Sequence, residues 1–499
     1  MRGIWRQIWF CPSLIFALTL VTRLRPGNLM IPGWDEWILA TISSRVGLLW
    51  LPSGELYDLL VPTGYSYPPF YFWISGALVY VYGGEPWVWR LPATLSDAGA
   101  AAMVAVLARY IAGPAAGWTA GLLACASLFL AFHQTVTLDY LLAFWILLSI
   151  WLYLKALDTH SFKLLLAAVF AGSLAPFTKY HGIVYFAPLC FAVVCVKDSR
   201  ALITPRRLPA LVCAALTLPV LLLCFEGLTW RFYGYEKTHI AEVFRVMTWT
   251  SYVPDPLTGE IVKPTWFYYF QCMWAQLGTM ALLMAFLGIL RWGKPRPRNE
   301  WLLLIFLALW LTWASTASLK NARYVLPAVY IIFVFAGRFV GESVKQDKFL
   351  QYTAYAFLTL ALLSGLGLTE IRWIDYRNAA RTQAEVCAMI NEQTPEDAVL
   401  LAEGRPFQTD DGVGIHPIKR RVISPESPKW ETQADYIIAD DRSGEMLAAR
   451  MIPVDESYLR ARDSILREWE LELMAYNGQY EIYVLKRPEN WRFPSQDAP

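Results

Sequence analysis

Long apolar runs recur in this 499-residue chain from Ile8 to Leu368, and they constrain its fold more than any other feature. A helix needs roughly 20 apolar residues to cross about 30 Å of hydrocarbon, a length that runs such as Leu208 to Leu228 reach. From about Asn378 onward the sequence is polar and charged, as in an ordinary globular protein. The pattern predicts a polytopic α-helical membrane domain over residues 1–375, followed by a small soluble domain over 376–499.

Length and hydropathy together predict about eleven membrane spans. Their approximate limits are 6–24, 87–110, 114–132, 137–157, 162–178, 180–197, 208–228, 266–290, 300–318, 323–341 and 349–368. The first run follows two arginines like a signal peptide, but it has no small-residue cleavage site, so we interpret it as a retained span. A further apolar stretch, 67–82, is short for a span and rich in aromatic residues, which favours a helix in the membrane interface.

The placement of lysine and arginine predicts the orientation of these spans. With the N-terminus in the cytoplasm and 67–82 in the interface, the inner connections carry many basic residues and the short outer connections carry few. This topology places two long loops, 25–86 and 229–265, on the non-cytoplasmic side, together with the C-terminal domain. Three short apolar stretches of that domain, Ala398–Ala402, Tyr436–Ala439 and Tyr480–Leu485, are strand-like and alternate with polar helical segments, which predicts a small α/β domain.

Composition and motifs exclude several classes of function. A net charge of +2 gives no general attraction for nucleic acid, and the eight cysteines form no Cys-x-x-Cys pair. The five histidines lack metal-ligand spacing, which argues against a dedicated catalytic zinc, and no phosphate-binding Gly-rich motif is present. No cofactor is therefore predicted, although a requirement for a divalent cation stays open.

Acidic residues on the predicted outer face are candidates for proton transfer. Asp35 and Glu36 lie between Trp34 and Trp37 just after the first span, where partial desolvation makes a carboxylate a better base. Asp139 begins the fourth span. The structural alternatives are a solvated loop acid for the first pair and a helix cap for Asp139.

Basic residues share this face. Lys179 lies between two short spans, and Lys320 and Arg323 precede the tenth span. Arginine suits bidentate binding of phosphate oxygens, whereas the alternatives are a snorkelling lysine and an interfacial anchor. Carboxylates beside cations are the groups that transfer from a membrane-held phosphate ester requires, because cations can neutralise a departing phosphate.

Six segments, in this order, resemble the GT-C fold glycosyltransferases related to dolichyl-phosphate-mannose protein mannosyltransferases and to the lipid A aminoarabinose transferases. The segments are Trp34-Asp35-Glu36, the run from Tyr67 to Trp73, Trp89-Arg90-Leu91-Pro92, the run from Leu138 to Phe144, the run from Thr178 to Gly182, and the run from Arg323 to Pro327. One departure is Tyr67, because the aminoarabinose transferases tend to carry lysine before the proline that opens the interfacial helix.

The resemblance implies an inverting transfer from a polyprenyl-phosphate-sugar donor to a lipid, glycan or protein acceptor on the non-cytoplasmic face. It implies that Asp35 is the catalytic base with Glu36 beside it. The donor phosphate and sugar would be bound by residues in or beside the matching segments, namely Asp139, Lys179, Lys320, Arg323, Tyr324 and Arg90.

Two other functions remain open at this stage. A transporter or flippase of a lipid-linked sugar could use the same charges to bind a headgroup, although such proteins place charges deeper in the bilayer. A non-enzymatic polysaccharide-binding or assembly component could retain a degenerate site. Identification of the donor by an enzymatic assay would separate the three.

Overall fold

Helices cover all eleven predicted spans in the computed structural model. The structure describes residues 2–25, 68, 70–132, 137–233, 253–254, 261–290, 298–317, 321–403, 418, 420–423, 430–440, 456–476 and 481–491. Asp35, Glu36 and Lys320 lie outside the described residues, as does most of the predicted 25–86 loop.

The first half of the chain contains ten described helices and a 3-10 segment at Tyr180–Tyr185. The helices are α1 (Arg2–Arg23), α2 (Phe70–Tyr82), α3 (Pro86–Ala112), α4 (Pro114–Ala126), α5 (Leu128–Phe132), α6 (Asp139–Thr159), α7 (Phe162–Thr178), α8 (Phe186–Cys195), α9 (Lys197–Leu202) and α10 (Leu208–Tyr233).

The second half continues with a short antiparallel pair, further helices and a sheet. These elements are β1 (Val253–Pro254), β2 (Ile261–Val262), α11 (Tyr268–Leu277), α12 (Thr279–Ile289), α13 (Arg298–Thr316), the 3-10 segment Ala322–Val325, α14 (Leu326–Ser343), α15 (Lys348–Gln393), β3 (Val399–Ala402), β4 (Arg421–Ile423), α16 (Trp430–Gln433), β5 (Tyr436–Asp440), α17 (Glu456–Glu468), β6 (Glu470–Tyr476) and β7 (Glu481–Lys486).

Four helical segments in the described ranges are long and apolar enough to cross a membrane. They are Pro86–Ala112, Asp139–Thr159, Ala322–Ser343 and Lys348–Asp375, and the α11–α12 pair would be a fifth if it forms one span. Six further apolar helices in the described ranges are shorter, with lengths of 10–17 residues. The protein thus has the helices of a membrane protein, while the number of spans, eleven, stays a prediction.

The predicted span 266–290 is not one straight helix. Its two halves, α11 and α12, meet at an angle of 113°. Gly278 lies at the break with φ of 78°, a left-handed conformation that costs glycine little and that most other residues avoid. This single position therefore explains why the apolar run bends instead of continuing as one helix.

Helix α14 is the centre of the larger of two compact units, which contains Trp87–Ile371. It packs closely on α4 because both helices present small residues. A Cβ atom on Gly337 would lie 2.4 Å from the Ala116 carbonyl oxygen, and one on Gly341 would lie 2.8 Å from the Ala116 Cβ atom. Small residues allow the backbones of membrane helices to approach in this way.

The smaller unit contains Arg372–Pro499 and a five-stranded sheet of order β4-β3-β5-β7-β6. Strand β3 is parallel to β4 and β5, whereas β7 is antiparallel to β5 and β6. Side chains of α17 pack on one face and the end of α15 packs on the other. The three predicted strand regions are β3, β5 and β7, and the sequence analysis did not predict β4 or β6.

A buried ion pair joins this sheet to α17. Glu403 follows β3 and is fully buried, and Arg462 binds both of its carboxylate oxygens at 2.6 and 3.0 Å. Tyr458 donates a hydrogen bond to the same carboxylate at 2.5 Å. Burial disfavours the charge of Arg462, but the hydrogen bond and charge of Glu403 outweigh it and raise the pKa of the guanidinium.

Candidate functional site

Asp139 is the centre of an ionic cluster built from three helix ends. Its carboxylate, at the start of α6, is 1% exposed and accepts hydrogen bonds from Lys179 Nζ at 2.8 and 2.9 Å. Arg323 Nε, in the 3-10 segment before α14, lies 3.5 Å from Oδ2. Thr137 Oγ1 donates to Oδ2 at 2.7 Å. The carboxylate is therefore not a simple helix cap, because it holds two cations from other elements.

The segment that carries Arg323 is fixed by local hydrogen bonds. Asn321 Oδ1 accepts a hydrogen bond from the backbone N–H of Arg323 at 3.2 Å, which begins the 3-10 turn. The backbone N–H of Asn321 donates to the Tyr269 hydroxyl on α11 at 3.3 Å. Trp310 Nε1 on α13 donates to the Tyr324 carbonyl at 2.8 Å. Contacts from two helices thus orient the start of α14.

The ring of Tyr324 also contacts Lys179. Lys179 Nζ lies 4.9 Å from the centre of that ring, in a cation–π contact. The ammonium group is therefore held between a carboxylate and an aromatic face, and its side chain is 7% exposed. This is not the position of a lysine that snorkels to solvent.

The chain folds back sharply after Lys179. Lys179 is extended after α7 ends at Thr178, and the Gly182 N–H then donates to the Lys179 carbonyl at 2.8 Å. A Cβ atom on Gly182 would lie 2.4 Å from the Ala175 carbonyl carbon and 2.6 Å from Pro176 N. Only glycine allows the turn to lie this close to the last turn of α7, and the turn places Lys179 beside Asp139.

Replacement of Gly182 by alanine is expected to displace this turn, because the added methyl group meets backbone atoms that cannot rotate away. Overpacking of this kind costs roughly 1–3 kcal/mol, and we expect lower thermal stability together with weaker binding of any anion at Lys179. Thermal unfolding of the purified protein would measure the first effect. Gly367→Ala is the matched control, since nothing lies within 4 Å of the added atom; equal melting temperatures for the two variants would contradict the explanation.

The other predicted site residues have different outcomes. Tyr324 lies in the cluster, and Arg90 is buried on α3, where its assignment to the donor site stays a prediction. Asp35, Glu36 and Lys320 fall outside the described residues. No group of three or more histidine, cysteine, aspartate or glutamate side chains in the described ranges could hold a metal ion.

Sequence analysis missed His181, which lies against the cluster. Its Nε2 is 3.7 Å from Asp139 Oδ1, and its ring contacts Trp310, Trp313 and Tyr324. The histidines were considered only for metal-ligand spacing, which His181 lacks. The available signal in the sequence was its position two residues after the candidate Lys179.

A second buried ionic cluster was also missed. Arg23, the last residue of α1, donates to Asp97 on α3 at 2.8 Å, and both side chains are completely buried. Tyr330 on α14 donates to the other Asp97 oxygen at 2.5 Å. An ionisable residue within an apolar helix is a functional or structural signal by itself, and Asp97 is such a residue.

Taken together, the fold and this site define a helical membrane protein in which helix ends gather cations around a buried carboxylate. Residues 66–225 match the model of the dolichyl-phosphate-mannose-protein mannosyltransferase family, PMT_2, a range that contains Asp139 and Lys179 and less than half of the chain. A search of curated protein sequences finds no match.

Two solved structures have a similar fold. ArnT from Cupriavidus metallidurans bound to undecaprenyl phosphate is similar, with a TM-score of 0.56, 15% identity, and coverage of 95% of this chain and 97% of that one. The archaeal oligosaccharyltransferase AglB from Archaeoglobus fulgidus, in complex with an inhibitory peptide and a dolichol-phosphate, has a TM-score of 0.51 and 12% identity, with coverage of 99% and 75%. The chain therefore has the GT-C fold of these glycosyltransferases.

Proposed function

We propose that this chain is an inverting glycosyltransferase that moves a sugar from a polyprenyl-phosphate donor to a hydroxyl group of a lipid, glycan or protein. The observation that carries the proposal is the convergence of Lys179 and Arg323 on the buried Asp139. Two proteins of the same fold were solved with undecaprenyl phosphate and dolichol-phosphate, which are lipid phosphates of the proposed class.

In the proposed reaction, Asp35 accepts the proton of the acceptor hydroxyl, with Glu36 beside it. The acceptor oxygen attacks the anomeric carbon from the side opposite the phosphate, so the configuration inverts. The bond between that carbon and the phosphate oxygen breaks, and the lipid phosphate leaves with the bonding electrons. Cations stabilise the charge that develops on the leaving oxygen, so no general acid is needed.

Lys179 and Arg323 are the groups we assign to the phosphate. Arginine presents several donors to an oxyanion and lysine supplies a compact charge. Asp139 keeps both cations in place before the donor binds, a preorganisation that reduces the cost of arranging charges during the reaction. Lys320, Tyr324 and Arg90 are assigned to the remaining phosphate and sugar contacts.

The proposed location is the cell membrane, with the N-terminus in the cytoplasm and the active site on the non-cytoplasmic face. About eleven spans cross the bilayer in this proposal, α2 lies in the interface, and 376–499 is a soluble α/β domain outside. The excess of basic residues in the inner connections over the short outer connections supports this orientation.

A transporter or flippase of a lipid-linked sugar is the second candidate, and one observation favours it. The bend at Gly278 divides an apolar segment into two half-helices, an arrangement that transporters use to build binding sites at the membrane midplane. A flippase would move the intact donor between leaflets, whereas the transferase breaks the bond between sugar and phosphate.

The test is incubation of the purified protein with a panel of polyprenyl-phosphate sugars and candidate acceptors. We expect one donor to release free polyprenyl phosphate. Asp35→Asn is expected to abolish release, since an amide cannot accept the proton, while Asp375→Asn, at an exposed position of α15, leaves it unchanged. Movement of intact donor between the leaflets of a vesicle, without release from any donor, would support the flippase instead.

A further inference from the structure

His181 is a buried residue of the cluster region with one ring nitrogen, Nε2, that makes no hydrogen bond to the residues the structure describes. Its side chain is 8% exposed, and Nε2 has no hydrogen-bond partner among the residues that the structure describes. The closest acceptor identified is Asp139 Oδ1 at 3.7 Å, which is too long for a hydrogen bond. Buried polar groups are nearly always hydrogen-bonded, so a buried nitrogen without a partner in a candidate site points to a ligand.

Three aromatic rings set the direction of the imidazole. The ring centre of His181 lies 5.1 Å from that of Tyr324, 5.2 Å from that of Trp313 and 6.0 Å from that of Trp310. Trp310 is itself fixed by its hydrogen bond to the Tyr324 carbonyl. The ring is thus packed against this aromatic group while Nε2 lies on the side of the ionic cluster.

The position of Nε2 defines what it can bind. Asp139 Oδ1 already accepts a hydrogen bond from Lys179 Nζ at 2.8 Å, and Oδ2 accepts from Lys179 and Thr137. The Asp139 carboxylate oxygen 3.7 Å from Nε2 favours the tautomer with the proton on this nitrogen. Nε2 is then a hydrogen-bond donor beside the Asp139 cluster that holds Lys179 and Arg323, where an anionic oxygen would be stabilised.

We propose that His181 Nε2 donates a hydrogen bond to a phosphate oxygen of the lipid-linked donor, beside Lys179 and Arg323. This inference rests on the proposed function, because it names a further contact of the same site. The aromatic rings of Trp310, Trp313 and Tyr324 serve to hold the imidazole in the orientation that this contact needs. Helix α13, to which sequence analysis assigned no role, thereby becomes part of the donor site.

The test uses two variants that separate hydrogen bonding from packing. His181→Phe keeps an aromatic ring against its three neighbours but removes the nitrogen. His181→Gln keeps an N–H donor but loses the ring. A hydrogen bond to a charged group is worth roughly a tenfold change in affinity at the lower limit, so we expect His181→Phe to weaken binding of polyprenyl phosphate about tenfold and His181→Gln to restore most of it.

Polyprenol, which has the same lipid without the phosphate, is the matched ligand. Binding of both lipids to the full-length protein is measured in nanodiscs, together with the thermal stability of each variant. We expect His181→Phe to leave polyprenol binding unchanged. Three results would overturn the proposal. His181→Phe could weaken the binding of both lipids equally or leave the binding of polyprenyl phosphate unchanged, or polyprenyl phosphate could bind His181→Phe more tightly than His181→Gln.

The wild-type protein distinguishes this proposal from the proposed function. If the wild type binds polyprenyl phosphate no better than polyprenol, the assignment of a phosphate site fails as a whole. If the wild type prefers the phosphate and His181→Phe keeps that preference, only the role of His181 fails. If Lys179→Met loses the preference for polyprenyl phosphate over polyprenol while His181→Phe keeps it, the phosphate site stands and only the role of His181 fails.

Discussion

Lys179→Met is expected to reduce sugar transfer by about 10²–10³-fold, the usual loss when one preorganised group that stabilises developing charge is removed. Methionine has a similar length and keeps apolar contact with Tyr324, but it cannot stabilise a leaving phosphate. Turnover of the identified donor, measured at saturating concentration, would show the loss. Substrate affinity should also fall, because the ammonium group is charged before as well as during the reaction.

A loss of activity in Lys179→Met has a second explanation that must be separated. The substitution leaves the buried carboxylate of Asp139 with one fewer cation, and breaking a buried pair is strongly destabilising. Arg323 still compensates Asp139 in this variant, so thermal unfolding of Lys179→Met separates the two explanations. If Lys179 acts only through folding, transfer should fall in proportion to the loss of stability; if it binds the phosphate, the variant that remains folded should still transfer poorly.

Lys155 offers a matched control within the same protein. Its Nζ lies 4.8 Å from the centre of the Tyr110 ring, nearly the same cation–π contact that Lys179 makes with Tyr324. Its side chain is 38% exposed, however, and its acidic neighbour Asp158 is 3.9 Å away. Lys155→Met should keep full transfer activity, and a loss as large as that of Lys179→Met would show that the assay reports general damage.

The sequence was a sufficient guide to the helices and to part of the candidate site. Hydropathy selects helices reliably because each span must satisfy its own backbone hydrogen bonds in lipid. Loop charge placed Asp139, Lys179 and Arg323 on one face, and the structure brings these three side chains into contact. Their catalytic or binding role, like that of Asp35 and Glu36, stays a prediction.

The features that were missed depend on packing between elements distant in the sequence. Asp97 contacts Arg23 and Tyr330 only because α1, α3 and α14 meet at one point, a contact that hydropathy of single segments cannot indicate. His181 is oriented by rings on α13, far along the chain. The bend at Gly278 had a local signal in the glycine itself, but a glycine within an apolar run is too common to predict a break.

Strands β4 and β6 were missed for a different reason. β4 has three residues, which is too short for an apolar pattern to be recognised. β6 alternates charged and apolar residues, and Leu471 and Met474 are exposed on it, so it lacks the continuous apolar run that marks a buried strand. As the edge strand next to β7, it needs less burial than the central strands.

Asp97→Leu is expected to lower the free energy of unfolding by about 3–5 kcal/mol, because it leaves the guanidinium of Arg23 buried without this carboxylate. Tyr330 would lose its acceptor at the same time. The exposed ion pair of Arg381 and Glu385 is the control, since replacing Glu385 by leucine removes a pair that solvent already screens. Thermal unfolding in one detergent would compare the two variants.

The double variant Arg23→Met with Asp97→Leu tests whether the ion pair affects turnover as well as stability. Replacing both members of a buried pair by apolar residues is often neutral for stability, so the double variant should melt close to the wild-type temperature.

Arg23 is the last residue of α1 and directly precedes the loop that carries Asp35. If the ion pair fixes the start of that loop, the double variant will be stable yet have reduced turnover with unchanged affinity for polyprenyl phosphate. Full turnover in a stable double variant would show that the pair contributes to folding alone. For the single variant Asp97→Leu, a loss of stability no greater than that of the Glu385→Leu control would contradict the proposed energetic role of the pair.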